Sequence, residues 1–125
     1  MNLNFDFESD KPIYLQLKEQ IEDAILNNAF KEETQIPSTT EISMTYKINP
    51  ATALKGMNLL VDEEILYKKR GLGLFVNSGA VKKLKQKRSN TFYDDYVISL
   101  LEEAMKLQLS KEEILEMIER GYQQL

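Results

Sequence analysis

Residues 36–76, IPSTTEISMTYKINPATALKGMNLLVDEEILYKKRGLGLFV, decide the fold. Ser38-Thr39-Thr40-Glu41 has the form of a capping box: the Ser hydroxyl accepts from the amide three residues on, and Glu41 reaches back. The short helix it starts turns Ile42 inward, with Met44 or Tyr46. Lys47-Ile48 makes a tight turn, and Asn49-Pro50 starts the next helix. Asn is a strong N-cap, and Pro in the first helical position loses no hydrogen bond. Ala53, Met57, Leu60 and Val61 form the buried stripe of that helix, with Ala51, Lys55 and Asn58 opposite. Two short helices joined by such a turn make a helix-turn-helix. Ile65–Lys69 and Leu74–Val76 then read as paired strands. Arg70-Gly71-Leu72-Gly73 lies between them, its glycines supplying the positive φ angles of a hairpin. A β-wing therefore follows the helix-turn-helix directly.

Working outward, residues 1–11 read as an extended lead-in. Pro12 opens a helix at its first position, and Ile13, Leu17, Ile21, Ala24 and Ile25 recur at helical spacing until Asn27-Asn28. Residues 30–35 form a polar connector. Beyond Ser78, Val81, Leu84, Phe92, Tyr96, Leu100 and Leu101 are spaced for a long helix, bent near Ser89-Asn90 and ending around Leu109. A second capping box, Ser110-Lys111-Glu112-Glu113, starts a final helix with Ile114, Leu115, Ile118 and Tyr122 on one stripe. The expected fold is α+β and mostly α: a winged helix-turn-helix over residues 1–78, then a two-helix tail over residues 79–125.

Composition removes most other functions. The 125 residues contain no Cys and no His, which excludes disulfides, Cys or His zinc sites, and Cys or Ser-His nucleophiles. No loop has the alternating acidic spacing of a calcium site, so no metal and no cofactor is expected. Carboxylate pairs such as Asp94-Asp95 lack any sign of a pocket that would tune them, so an enzyme is not expected. There is neither a membrane-length apolar run nor a signal peptide, and the expected location is the cytoplasm.

The net charge is −4, yet residues 68–88 carry eight bases and no acid. The placement of charge, more than its sum, sets the local field. Lys68, Lys69 and Arg70 flank the hairpin. Lys82–Arg88 read equally well as a solvated helix face or as phosphate contacts.

The order of elements points to double-stranded DNA. A helix-turn-helix lays the start of its second helix in the major groove, which here offers Asn49, Ala51, Thr52 and Lys55. Lys55 reaches a guanine edge or a phosphate, Thr52 a phosphate or a base edge, and Ala51 a thymine methyl. The free amides at the start of the Ser38 helix, where Ser38, Thr39 and Thr40 stand, suit a phosphate. Lys69 and Arg70 lead into a slim tip at Gly71 and Gly73, fit to approach the backbone or a narrow minor groove. The alternative is a winged helix used as a protein-interaction adaptor, for which the wing charges would be dispensable.

Pro12-Ile13-Tyr14, Ile36-Pro37-Ser38, Asn49-Pro50-Ala51-Thr52 and Lys69-Arg70-Gly71-Leu72-Gly73-Leu74-Phe75-Val76 together resemble the GntR family of bacterial regulators, over about residues 10–77. The Asn-Pro-x-Thr turn and short tail resemble its YtrA subfamily, in which a two-helix tail serves dimerisation. The resemblance implies a repressor of a nearby operon, often one for a transporter. It also implies DNA contacts at Ser38, Thr40, Asn49, Ala51, Thr52, Lys55, Arg70, Gly71 and Gly73. Thr40 and Leu54 stand where many members have Arg, as does Pro50, a change normal for the subfamily. Operator preference is therefore this chain's own. Gly56 lies inside the second helix, at a cost of about 1 kcal/mol relative to Ala.

The tail carries more apolar surface than a two-helix hairpin covers. Phe92, Tyr96, Leu100, Leu101, Ile114, Ile118 and Tyr122 are the candidate dimerisation residues, and a two-fold homodimer is the economical partner. Packing of the tail on its own head is the alternative. A small-molecule effector is left open, since no residues mark a site for one.

Overall fold

The computed structural model describes residues 2–125, which divide into two compact units, a head ending at Gln86 and a tail from Lys87 to Leu125. In the head, α1 (Ile13–Leu26), α2 (Thr39–Tyr46) and α3 (Pro50–Asp62) precede β1 (Leu66–Lys69) and β2 (Gly73–Val76). The strands pair antiparallel from Leu66↔Val76 to Lys69↔Gly73. The fold is the expected winged helix-turn-helix.

The helix starts follow the local chemistry. Ser38 Oγ accepts from the Glu41 amide at 3.1 Å, and the Ser38 amide donates to Glu41 Oε1 at 3.2 Å. Asn49 Oδ1 accepts from the Ala51 amide at 2.8 Å. Pro12 stands one place earlier than expected, as the N-cap of α1. Its ψ of 147° is extended, while its carbonyl accepts from the amides of Leu15 and Gln16. Before it, the lead-in is strapped to α1. Buried Gln16 exchanges hydrogen bonds with the Asp6 backbone, and Gln20 does so with Asn4.

The turn between α2 and α3 is held from inside. Lys47 is left-handed at φ 55°, and buried Ser43 donates from Oγ to the Ile48 carbonyl at 2.7 Å. Of the inward candidates on α2, Ile42 is fully buried and Tyr46 half-buried, but Met44 is 75% exposed. Ser43 takes the inward place because the turn supplies its hydroxyl with an acceptor.

Leu17, Ile21 and Ile25 of α1 meet Ala53, Met57 and Leu60 of α3 in one core with Ile42, Ile65 and Val76. Val61 packs at its margin. Gly56 explains the closeness of α1 and α3. A Cβ there would lie 2.8 Å from the Tyr14 carbonyl oxygen and 3.2 Å from Leu17 Cδ2. The helix gives up propensity to let a backbone approach.

The polar connector does more than connect. Glu33 and Ile36 donate to the carbonyls of Val76 and Leu74, and the Val76 amide donates to Thr34. Residues 33–36 thus line the free edge of β2, with a bridge at Gln35↔Phe75.

Helix α4 (Ala80–Phe92) begins in the head, where Ala80 and Leu84 are buried in the core. The head thus runs past the expected boundary at residues 78 and 79. The start of α4 is capped from a distance: the Glu32 carboxylate accepts from the amides of Gly79 at 2.8 Å and Val81 at 3.0 Å. These bonds hold the Glu32 carboxyl below the ordinary glutamate range. A depressed native pKa stabilises the fold above the unfolded-state value, and that contribution fades as pH falls through the native value. Glu32→Gln is therefore expected to melt below wild type at pH 7 and to converge with it in acid, below about pH 4. Thermal unfolding followed by circular dichroism across pH checks this.

In the tail, α4 continues through Ser89-Asn90, where a bend was expected, as unbroken α-helix to Phe92. The irregularity comes later, as a π-helical segment at Tyr93–Ile98. Ser99 Oγ bonds back to the Asp95 carbonyl at 3.0 Å, the kind of side-chain competition that loosens a helix. Helix α5 (Ser99–Lys106) stops short of Leu109, because left-handed Gln108 folds the Leu109 amide back onto the Ala104 carbonyl. The capping box at Ser110 starts α6 (Lys111–Gln124).

Candidate nucleic-acid interface

The outward face of α3 carries Ala51, Leu54, Lys55 and Asn58, all exposed, with Thr52 half-buried beside them. They share a face because they recur at helical spacing opposite Ala53, Met57 and Leu60. Asn49 spends its side-chain oxygen on the cap, so it sets where this face begins. At the start of α2, Ser38 is likewise engaged in its cap, Thr39 is half-buried and Thr40 is exposed.

The wing turns through Arg70-Gly71-Leu72 between the paired Lys69 and Gly73, and the Leu72 amide donates to the Lys69 carbonyl at 2.9 Å. Gly71 and Gly73 take φ of 79° and 128°. Gly73 is required twice over, since a Cβ there would also fall 2.9 Å from Gln35 Nε2. Arg70 is exposed at the tip. Lys69 is held on the wing, its ammonium 4.6 Å from the Phe75 ring centre, and Phe75 stacks on Tyr67 at 5.7 Å.

Two further residues organise this surface. Gln35 Nε2 donates to the Leu72 carbonyl at 2.6 Å. Gln35 lies just upstream of the Ser38 cap, so one short segment ties the wing tip to the start of α2. Tyr14 on α1 places its ring 4.0 Å below the Lys55 ammonium. Sequence reasoning gave neither a role, although each lies in or beside a quoted motif: Pro12-Ile13-Tyr14 and Ile36-Pro37-Ser38. Of the basic cluster downstream, Lys83 is 3.5 Å from Glu64, which offsets its charge.

In the tail, Phe92, Tyr96, Leu100, Leu101, Ile118 and Tyr122 are all at least 41% exposed, and Ile114 is half-buried. Among the described residues of the tail unit only Ala104 is buried. No helix of the described residues is long and apolar enough to cross a membrane.

Comparison with known proteins agrees with this architecture. Residues 13–76 match the family described as "Bacterial regulatory proteins, gntR family". The chain is 32% identical over 112 residues to the HTH-type transcriptional regulator YhcF of Bacillus subtilis, covering 88% of this chain and 89% of YhcF. Among solved structures, a GntR-family regulator from Bacteroides thetaiotaomicron is 35% identical, with a TM-score of 0.69 over 90% of this chain and 97% of its own. YtrA from Sulfolobus acidocaldarius is 25% identical, with a TM-score of 0.58 over 98% and 97%. The DNA-binding domain of AraR, solved with operator ORX1, is 26% identical, with a TM-score of 0.54 over 61% and 95%. A match through the whole helix-turn-helix and wing, joined to one along the tail, leaves no enzyme to look for: this chain belongs to the GntR family of DNA-binding transcription regulators, as a YtrA-like member.

Proposed function

We propose that the chain is a homodimeric repressor acting in the cytoplasm on a nearby operon, such as one for a transporter. Each head lays α3 in a major groove of operator DNA. Ala51, Thr52 and Lys55 face the base edges there, and Asn49 fixes the helix start. Ser38, Thr39 and Thr40 present the start of α2 to a phosphate. Lys69, Arg70, Gly71 and Gly73 carry the wing to the adjacent backbone or minor groove. The observation that carries this reading is the tether at Gln35. It gives the wing tip and the start of α2 a common anchor, so the surface is organised before DNA arrives.

The tails pair two copies through Phe92, Tyr96, Leu100, Leu101, Ile114, Ile118 and Tyr122. A helical unit burying little but Ala104 has too little packing to offset the entropy of ordering it. A second copy supplies the missing surface.

The test uses a duplex selected from a random library by the wild-type chain. Lys55→Ala and Arg70→Ala are each expected to weaken binding about tenfold at 100 mM salt, within the span of one lost specific contact. Each is expected to lower the salt slope by about 0.9 if the lost partner is a phosphate. Unchanged affinity for both variants would support the adaptor instead.

A further inference from the structure

We propose that Tyr14, on a helix that does not itself enter the groove, is a positioning residue for DNA reading: its ring holds the Lys55 ammonium at the start of α3. The inference rests on the DNA-reading role of Lys55 and adds a second residue to it.

A free lysine side chain on an exposed helix face samples many rotamers, and a contact must first select one of them. Here the Lys55 ammonium stands 4.0 Å from the Tyr14 ring centre, well inside the distance at which the ring quadrupole attracts a cation. One side of the ammonium rests on the ring. Its remaining N–H donors are open to a phosphate or a guanine edge. The ring favours one conformer without consuming hydrogen-bonding capacity, which a carboxylate partner would do.

The backbone is arranged for this contact. The Tyr14 carbonyl comes so close to α3 that only glycine fits at position 56, the residue after Lys55. Gly56 therefore sets the approach of α1, that approach sets the place of the Tyr14 ring, and the ring sets Lys55. The polarity is also right. On the exposed face of α3 Lys55 stands with Ala51, Leu54 and Asn58, none of which carries a charge that would pair with it.

The experiment measures affinity of the full-length chain for the selected duplex by fluorescence anisotropy at 100 mM salt. Tyr14→Leu is expected to weaken binding about two- to fivefold, the range an exposed cation–π contact supplies. Tyr14→Phe keeps the ring and is expected to bind as wild type. The double variant Tyr14→Leu with Lys55→Ala is expected to bind no more weakly than Lys55→Ala alone. Additive losses in the double variant, wild-type affinity for Tyr14→Leu, or equal losses for Phe and Leu would each overturn the inference. If Lys55→Ala itself binds as wild type, the DNA-reading role of Lys55 fails and the inference falls with it. Should Tyr14→Leu not fold, proton NMR of the wild type decides. The Lys55 side-chain methylenes must show upfield ring-current shifts that persist in Tyr14→Phe, and unshifted methylenes contradict the contact.

Discussion

Gly56→Ala is expected to destabilise the head by about 1–2 kcal/mol, reversing the usual sign of this substitution. Within a helix, Ala is normally better than Gly by about 1 kcal/mol. At this position the new methyl would stand 2.8 Å from a backbone oxygen of α1 and 3.2 Å from a core leucine. Backbone cannot swing aside as a side chain does, so α1 and α3 must separate. Overpacking of this kind costs about 1–3 kcal/mol, which exceeds the propensity gain. Urea unfolding should show a lower midpoint with an unchanged slope. A gain of about 1 kcal/mol would contradict the close approach on which both the core and the place of Tyr14 depend. Gly56→Val adds two more methyls at the same contact and is expected to cost about 3 kcal/mol.

Charging the tail should cost more in DNA affinity than any single change in the head. Leu101→Glu combined with Ile118→Glu places carboxylates on two apolar positions that are each 41% exposed in one chain. Burying them against a second copy would leave unpaired charge in an apolar contact. The variant is expected to elute as a monomer in size-exclusion chromatography with light scattering. Two linked heads gain about 10²–10⁴ over one, so its affinity for a two-half-site duplex should fall about a hundredfold or more. Affinity for a single half-site should change little, because the head is untouched. A variant that stays dimeric, or a loss equal on both duplexes, would contradict pairing through this face.

The parts of the fold legible in the sequence were those set by local chemistry. Both capping boxes and the Asn49 cap are complete within four residues, so their hydrogen bonds follow from spacing alone. The hairpin was legible because Gly71 and Gly73 announce positive φ. What was hidden depends on distant partners. Ser43 rather than Met44 turns inward because Ile48 offers a carbonyl across the turn. Glu32 caps a helix that begins far along the chain, so the head extends into α4. Gln35 gains its role only once the wing folds back against it. The π-helical segment at Tyr93–Ile98 was not legible, since apolar spacing at one helical period does not distinguish it from the α-helix on either side.

The central claim is that α3 and the wing read the sequence of duplex DNA. The most direct test titrates the wild-type chain against its library-selected duplex and against a scrambled duplex of equal length and composition, from 50 to 200 mM salt. At physiological salt the selected duplex is expected to bind about 10³-fold more tightly or better, with affinity for both falling as salt rises. Equal affinity for the two duplexes at every salt concentration would contradict the account.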